Sequence, residues 1–185
     1  MTEVTLGFRI RQIRRQRKLS LEALAAKSGL TKSYLSKLER GINSPSIATT
    51  LKIARAFGVQ VGQLLGETTD KDGFCLIRKK ERKPLVRRGT QYGYYYESIA
   101  YKRRSKCMEA FVVRPPKRYK DNKTFFEHPG EEMMFVLNGQ VEVIVADKRA
   151  VLARGDSVYF DAHMPHRSRS LGLQQAETLV IVGGT

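Results

Sequence analysis

Apolar residues change their spacing partway along this chain. Up to Gly66 they recur at helical intervals: Leu6, Ile10 and Ile13, then Leu21, Leu24 and Ala25, then Leu35 and Leu38, then Ile47, Leu51, Ala54 and Phe57. Ser20, Thr31 and Ser46 stand where N-caps belong, and Gly29, Gly41 and Gly58 stand near the expected helix ends. The pattern predicts about five short helices. From Phe74 onward the period falls to two, or to short apolar runs: Tyr92–Ala100, Met108–Val113, Met133–Leu137, Val141–Val145, Ser157–Phe160 and Thr178–Val182. Such short strands, with no helical stretch among them, predict a β-barrel or sandwich. Asn138-Gly139 reads as a hairpin turn of type I′.

The expected organisation is therefore α + β in two domains: helices over 1–66, a linker and basic edge segment over 67–90, and a β-barrel over 91–185. The polar stretch Glu67–Gly73 joins the halves, and the basic run Arg78–Arg88 follows it. That run reads either as a solvated edge strand or linker, or as an extra phosphate contact.

Charge adds a partner to this picture. The 185 residues hold 34 Lys and Arg against 18 Asp and Glu, a net charge of +16. Up to residue 65 the balance is 12 to three. Either the surface is simply solvated, or it meets a polyanion whose counterions basic side chains release. Cys75 and Cys107 form no CxxC pair and no disulfide framework, which fits a reducing cytosol. No apolar run approaches the ~18 residues of a membrane span, and Arg9 and Arg11 interrupt any signal-peptide pattern. A cytoplasmic protein with no membrane partner is expected.

Ser20–Gly41 (SLEALAAKSGLTKSYLSKLERG) places two short helices around Gly29. Leu24, Leu30, Leu35 and Leu38 form the shared seam, leaving Lys32, Ser33, Ser36 and Lys37 outward on the second helix. Lys donates to guanine O6 or N7 in a major groove, and Ser reads either kind of base edge. Leu6 to Leu65 resembles the Cro/phage-repressor-type (XRE-like) helix-turn-helix family, a five-helix lambda-repressor-like domain. The resemblance implies base contacts from Lys32, Ser33 and Lys37, and backbone contacts from Ser20, Leu21, Arg40 and Asn43. Leu21 departs from the polar residue often found at its position. Ser36 and Tyr34 complete the candidate DNA-binding set, with a buried or half-buried packing role equally open to Tyr34. Arg14 and Glu39 match a structural ion pair of that family. Such domains act on double-stranded operators as homodimers, because one short helix reads few bases.

In the second half, Phe125–Gln140 (FFEHPGEEMMFVLNGQ) puts His128, Glu131 and Glu132 just before an apolar strand. Gly155-Asp156, Phe160, Pro165 and His166 follow. Tyr92 to Gly184 resembles the cupin family, a double-stranded β-barrel or jelly roll. The resemblance implies metal candidates at His128, Glu132 and His166, with Phe126 where another ligand His would stand. Three ligands still suit zinc or iron, so a divalent metal is the candidate cofactor. The same side chains can instead hold an organic effector, with Arg114 and Tyr96 reaching it from neighbouring strands. His163 and Gly155-Asp156 read as loop and turn, and Phe135 and Phe160 as core.

Together the halves resemble regulators with a helix-turn-helix ahead of a cupin sensor. The expected function is a non-enzymatic, sequence-specific transcriptional regulator of repressor type. Its barrel takes a small-molecule effector, a metal or both, and acts on DNA through a dimer. Two alternatives stand beside it: a cupin metalloenzyme, of dioxygenase or isomerase type, tethered to DNA, or a barrel that serves only for dimerisation.

Overall fold

A computed structural model describes residues 5–65, 74–86, 89–103, 106–121 and 123–184. The expectations for Glu67–Gly73, Arg87 and Arg88 lie outside these residues. Helices form where a polar cap precedes an apolar stripe: α1 (Leu6–Gln16), α2 (Leu21–Ser28), α3 (Lys32–Glu39), α4 (Ile47–Phe57) and α5 (Val61–Leu65). Thr5, Ser20, Thr31 and Ser46 cap the first four, each side chain accepting from the N–H three residues on. Gly29 and Gly58 end α2 and α4 in the left-handed conformation, at φ 67° and 59°. Ile10, Leu24, Leu35, Leu38, Ile53, Phe57 and Leu64 are buried among the helices. Arg14 grips Glu39 with two hydrogen bonds, 2.6 Å from Nε and 2.9 Å from Nη2, fixing α1 against α3.

The strands are β1 (Lys83–Pro84), β2 (Tyr95–Ser98), β3 (Met108–Arg114), β4 (Glu131–Asn138), β5 (Gln140–Val145), β6 (Lys148–Ala153), β7 (Ser157–Asp161), β8 (His166–Leu171) and β9 (Glu177–Gly183). They form a six-stranded sheet ordered β1-β2-β3-β9-β4-β7 and a three-stranded sheet ordered β6-β5-β8. Every ladder is antiparallel. The core takes Phe111, Val113, Met134, Val136, Val180 and Val182 from the first sheet and Val141, Val143, Val145 and Leu152 from the second.

Three strands go beyond the sequence expectation. β1 lies within the basic segment and pairs with β2. β6 is an edge strand, exposed at five of its six residues, so it carries no apolar alternation. β8 (HRSRSL) buries His166, Ser168 and Ser170 and leaves Arg167 and Arg169 outside, so both faces are polar. The buried Ser170 hydroxyl is satisfied: its Oγ donates to Pro115 O at 2.9 Å and accepts from the Ala176 N–H at 3.2 Å.

Asn138-Gly139 does not close a hairpin. β4 pairs with β7 and β9, while β5 pairs with β6 and β8, so this turn carries the chain from one sheet to the other. Gly139 has φ 76°, and a Cβ there would come within 3.0 Å of the Ala176 Cα. Asn138 keeps negative φ, which excludes a type I′ turn. The tight hairpin is β5–β6, where Val145 pairs with Lys148 and Ala146 adopts φ 50°.

The buried residues of helices and barrel form one continuous apolar cluster. Polar contacts reinforce it. The Gln60 side-chain amide donates to Lys106 O at 3.0 Å and accepts from Lys106 N–H at 3.1 Å. Lys106 Nζ lies 3.0 Å from Glu109 Oε2, with both side chains buried.

Candidate functional site

α3 presents the first candidate surface. Lys32, Ser33, Lys37 and Arg40 are exposed and Ser36 is half-buried, while Leu35 and Leu38 fix the opposite face in the core. Lys32 Nζ lies 2.5 Å from Glu22 Oε1 across the turn, with both side chains well exposed. The hydrogen bond from Lys32, first among its causes, pulls the Glu22 pKa down to about 2. Ser20 already caps α2 through its hydroxyl. Asn43 is half-buried in the loop after α3, its N–H 3.4 Å from Lys37 O.

Of the two roles open to Tyr34, its surroundings match the packing one. It is half-buried against the apolar cluster, its hydroxyl near the Thr49 side chain on α4. Desolvation raises its pKa, with a further contribution from nearby Tyr92. A ring placed this way holds α3 to its neighbours.

The second candidate is a barrel cavity of about 40 Å³. His128, Glu132 and His166 are all buried, and one donor atom from each lies within 4.8 Å of the other two. Local sequence explains their convergence. Gly130, at φ 91°, lets the chain after His128 turn against Gly183, whose oxygen would lie 2.0 Å from a Cβ. The strand β4 then starts, and alternation turns Glu132, Met134 and Val136 inward. His166 opens β8 and faces them from the second sheet.

The hydrogen bonds define the site's chemistry. His128 Nδ1 lies 3.2 Å from Pro129 O, and His166 Nδ1 lies 2.9 Å from Met164 O. A carbonyl only accepts, so each Nδ1 carries the hydrogen and each ring turns its Nε2 inward, as a lone pair where the ring is neutral and as a second N–H where it is protonated. His128 Nε2 is 3.0 Å from Glu132 Oε2, and His166 Nε2 is 3.8 Å from it. Burial lowers the His166 pKa, outweighing the charge of Glu132, so that ring is held neutral. Two lone pairs and a carboxylate directed at one point repel unless a proton or a metal ion sits among them. Two imidazoles and one carboxylate fit a divalent zinc or iron ion.

The remaining wall is largely apolar and aromatic: Tyr94, Tyr96, Val113, Phe126, Met134 and Phe160 are among its residues. Phe126 lines the cavity as an edge-on ring, 5.5 Å from Tyr92 and 5.4 Å from Tyr94. The Tyr94 hydroxyl donates to Ser168 O at 2.5 Å, and burial, first among its causes, pushes its pKa up to about 12. Tyr96 reaches the cavity as expected, and its pKa is raised well above the ordinary value by burial. Arg114 does not. It sits half-buried with Nη2 2.7 Å from Glu177 and 3.5 Å from Glu97, and is not among the cavity-lining residues. Its outward position on β3 follows from alternation, since Val113 is the neighbour that faces in. His163 is exposed and bonded to Asp161 at 2.8 Å.

Among the lining residues that sequence reasoning did not assign to the site are Arg167 and Ser168 on β8, and Ile47 and Ala48, which begin α4 in the helical half. No local signal marks Ile47 and Ala48, because their contact with the barrel exists only after the halves pack together.

Residues 10–64 match the helix-turn-helix family, and residues 112–182 match the cupin domain family. An immunity repressor of Bacillus phage phi105 is 40% identical over 86 residues, which are 46% of this chain and 60% of the repressor. The chain thus spans less than two thirds of that relative. The HTH-type transcriptional regulator SutR of Escherichia coli (strain K12) is 27% identical over 169 residues, 91% of this chain and 89% of its own. The (S)-2-hydroxypropylphosphonic acid epoxidase of Streptomyces wedmorensis is 29% identical over 163 residues, 83% of this chain and 82% of its own. Among solved structures, an HTH_3 family transcriptional regulator from Vibrio cholerae superposes with a TM-score of 0.67 at 21% identity, over 98% of this chain and 96% of its own.

Proposed function

Because the chain belongs to the helix-turn-helix regulator family and carries a cupin domain behind its DNA-binding helices, we propose that it is a ligand-responsive repressor acting as a homodimer on a DNA operator. One observation carries the reading: the exposed Lys32, Ser33 and Lys37 face of α3 and the buried His128–Glu132–His166 cluster belong to one continuous packed body. The first can enter a major groove, and the second can hold a small ligand.

His128, Glu132 and His166 would hold a divalent metal. When bound, that ion supplies a Lewis-acidic centre with open positions for a small ligand. Tyr94, Tyr96, Phe126 and Phe160 exclude water around it and select a largely apolar occupant. An occupant changes operator affinity only by binding the two arrangements of the protein unequally.

A direct test selects operators from a random duplex pool, then measures their affinity with and without bound divalent metal. The expected result is a defined palindromic site whose affinity depends on pocket occupancy. Binding that is uniform across sequences and vanishes at modest salt would remove the regulator reading.

A second reading has its own observation. The chain is similar over most of its length to an epoxidase, and its cluster leaves metal positions open. Turnover of an organic substrate by the metal-loaded wild type would favour a metalloenzyme over a sensor.

A further inference from the structure

The barrel cavity is closed on one side by the DNA-binding half. Ile47 and Ala48 are the first two residues of α4, and both line the cavity that holds His128, Glu132 and His166. Ile47 lines the cavity together with Tyr96, which stacks on Tyr94 with ring centroids 5.8 Å apart. Both Ile47 and Ala48 are buried, at 5% and 6% exposure, so the wall is tight.

Size then separates two kinds of occupant. A water needs roughly 10–15 Å³ of such space, whereas organic ligands occupy pockets of roughly 300–1,000 Å³. The cavity's 40 Å³ therefore admits a metal ion with its waters and little more. An organic molecule has to displace part of the wall. The barrel strands on that wall are held by ladders, whereas the start of α4 meets the barrel through the packing of Ile47 and Ala48.

What α4 carries with it gives the displacement a consequence. Thr49, one residue past Ala48, sits close enough to the Tyr34 hydroxyl on α3 to favour its ionised form. Tyr34 shares the exposed helix with Lys32 and Lys37. Beyond the end of α4, Gln60 is tied to the barrel by the paired bonds with Lys106. The helical half thus rests on the cavity at Ile47 and is pinned at Gln60, with the 11 residues of α4 between.

We propose that the first turn of α4 is the gate of the sensor: an organic ligand bulkier than a metal-bound water wedges Ile47 and Ala48 outward, and α3 moves with them. This rests on the regulator reading above and specifies how the pocket would reach the DNA. It also states the ligand class, a small apolar molecule with one metal-binding atom. In half-site geometry, a shift of one recognition helix weakens operator binding, because spacing is fixed by the DNA turn.

The test uses the full chain loaded with Co(II), with azide and 4-phenylimidazole as small and bulky metal-binding probes. Cobalt absorption reports probe binding, and affinity for a selected operator reports coupling. Ile47→Ala is expected to tighten 4-phenylimidazole binding about tenfold while leaving azide within about twofold. In the wild type, 4-phenylimidazole is expected to weaken operator binding about tenfold, and azide to leave it unchanged. If Ile47→Ala fails to fold, Ile47→Val keeps the test, with a smaller shift in the same direction. Equal 4-phenylimidazole affinity in wild type and variants, with Co(II) bound, overturns the gate alone. A tighter variant with unchanged operator affinity overturns the coupling. Failure to take up Co(II) overturns the metal-pocket reading and the gate with it.

Discussion

Phe126 and His166 exchange two backbone hydrogen bonds of 2.9 Å each, so the ring at the missing ligand position is held beside a ligand candidate that remains. Both side chains line the cavity. Phe126→His is therefore expected to add a fourth donor and tighten zinc or cobalt binding by at least about tenfold. Glu132→Gln should weaken it, by removing the only carboxylate of the cluster. Metal titration calorimetry checks both, and an unchanged affinity in Glu132→Gln would place the ion elsewhere.

Lys32 and Lys37 should read sequence. Replacing either with Ala is expected to cost about 1–3 kcal/mol of discrimination at particular base pairs. Replacing Arg82 or Arg87 should instead weaken all duplexes alike and flatten the salt slope by about 0.9 for each phosphate left without its cation. Arg82 begins from a constrained position, its Nη1 3.7 Å from Glu97 Oε2, so its effect should be the smaller part of that slope. Binding to a panel of single-base operator variants at several salt concentrations separates the two behaviours.

Arg14 should matter for stability. Its partner Glu39 is 5% exposed and would be left as an uncompensated buried charge in Arg14→Ala. A cost of about 3–5 kcal/mol is expected, read by urea unfolding. Replacing both partners with apolar residues of similar volume should recover much of it, since the penalty lies in the unpaired charge.

Acid should loosen the barrel through Glu142. This carboxylate is 2% exposed and accepts from Arg169 Nε at 2.8 Å, with Arg149 also bound. The Arg169 hydrogen bond, first among the causes, holds its pKa below 4.5. The folded state thus favours the ionised form. That stabilisation is fully present above pH 4.5 and is lost as pH falls through the lowered folded value. Glu142→Gln should lower stability at neutral pH and flatten the acid limb of the profile. Thermal unfolding between about pH 3 and 7 checks this.

The helical half was almost fully legible along the chain. Caps act within one turn, and apolar residues three and four apart share a face, so Ser20, Thr31, Ser46 and the stripe from Ile47 to Phe57 needed only local information. That His128, Glu132 and His166 come together was legible too, through the residue types around them. Tertiary structure settled what depends on distant partners. The Asn138-Gly139 turn changes sheets because β5 finds β6 and β8, and not β4. β8 hid because its inward side chains are His166, Ser168 and Ser170; the Tyr94 hydroxyl bonds the Ser168 backbone and Ser170 Oγ donates to Pro115 O, both partners far away along the chain. Tyr34 and Arg114 took partners that helix and strand spacing cannot name. Above all, the cavity wall brings together Ile47 and Tyr96, residues 49 positions apart. Periodicity states which face of an element is apolar, and only the packed chain states what covers it.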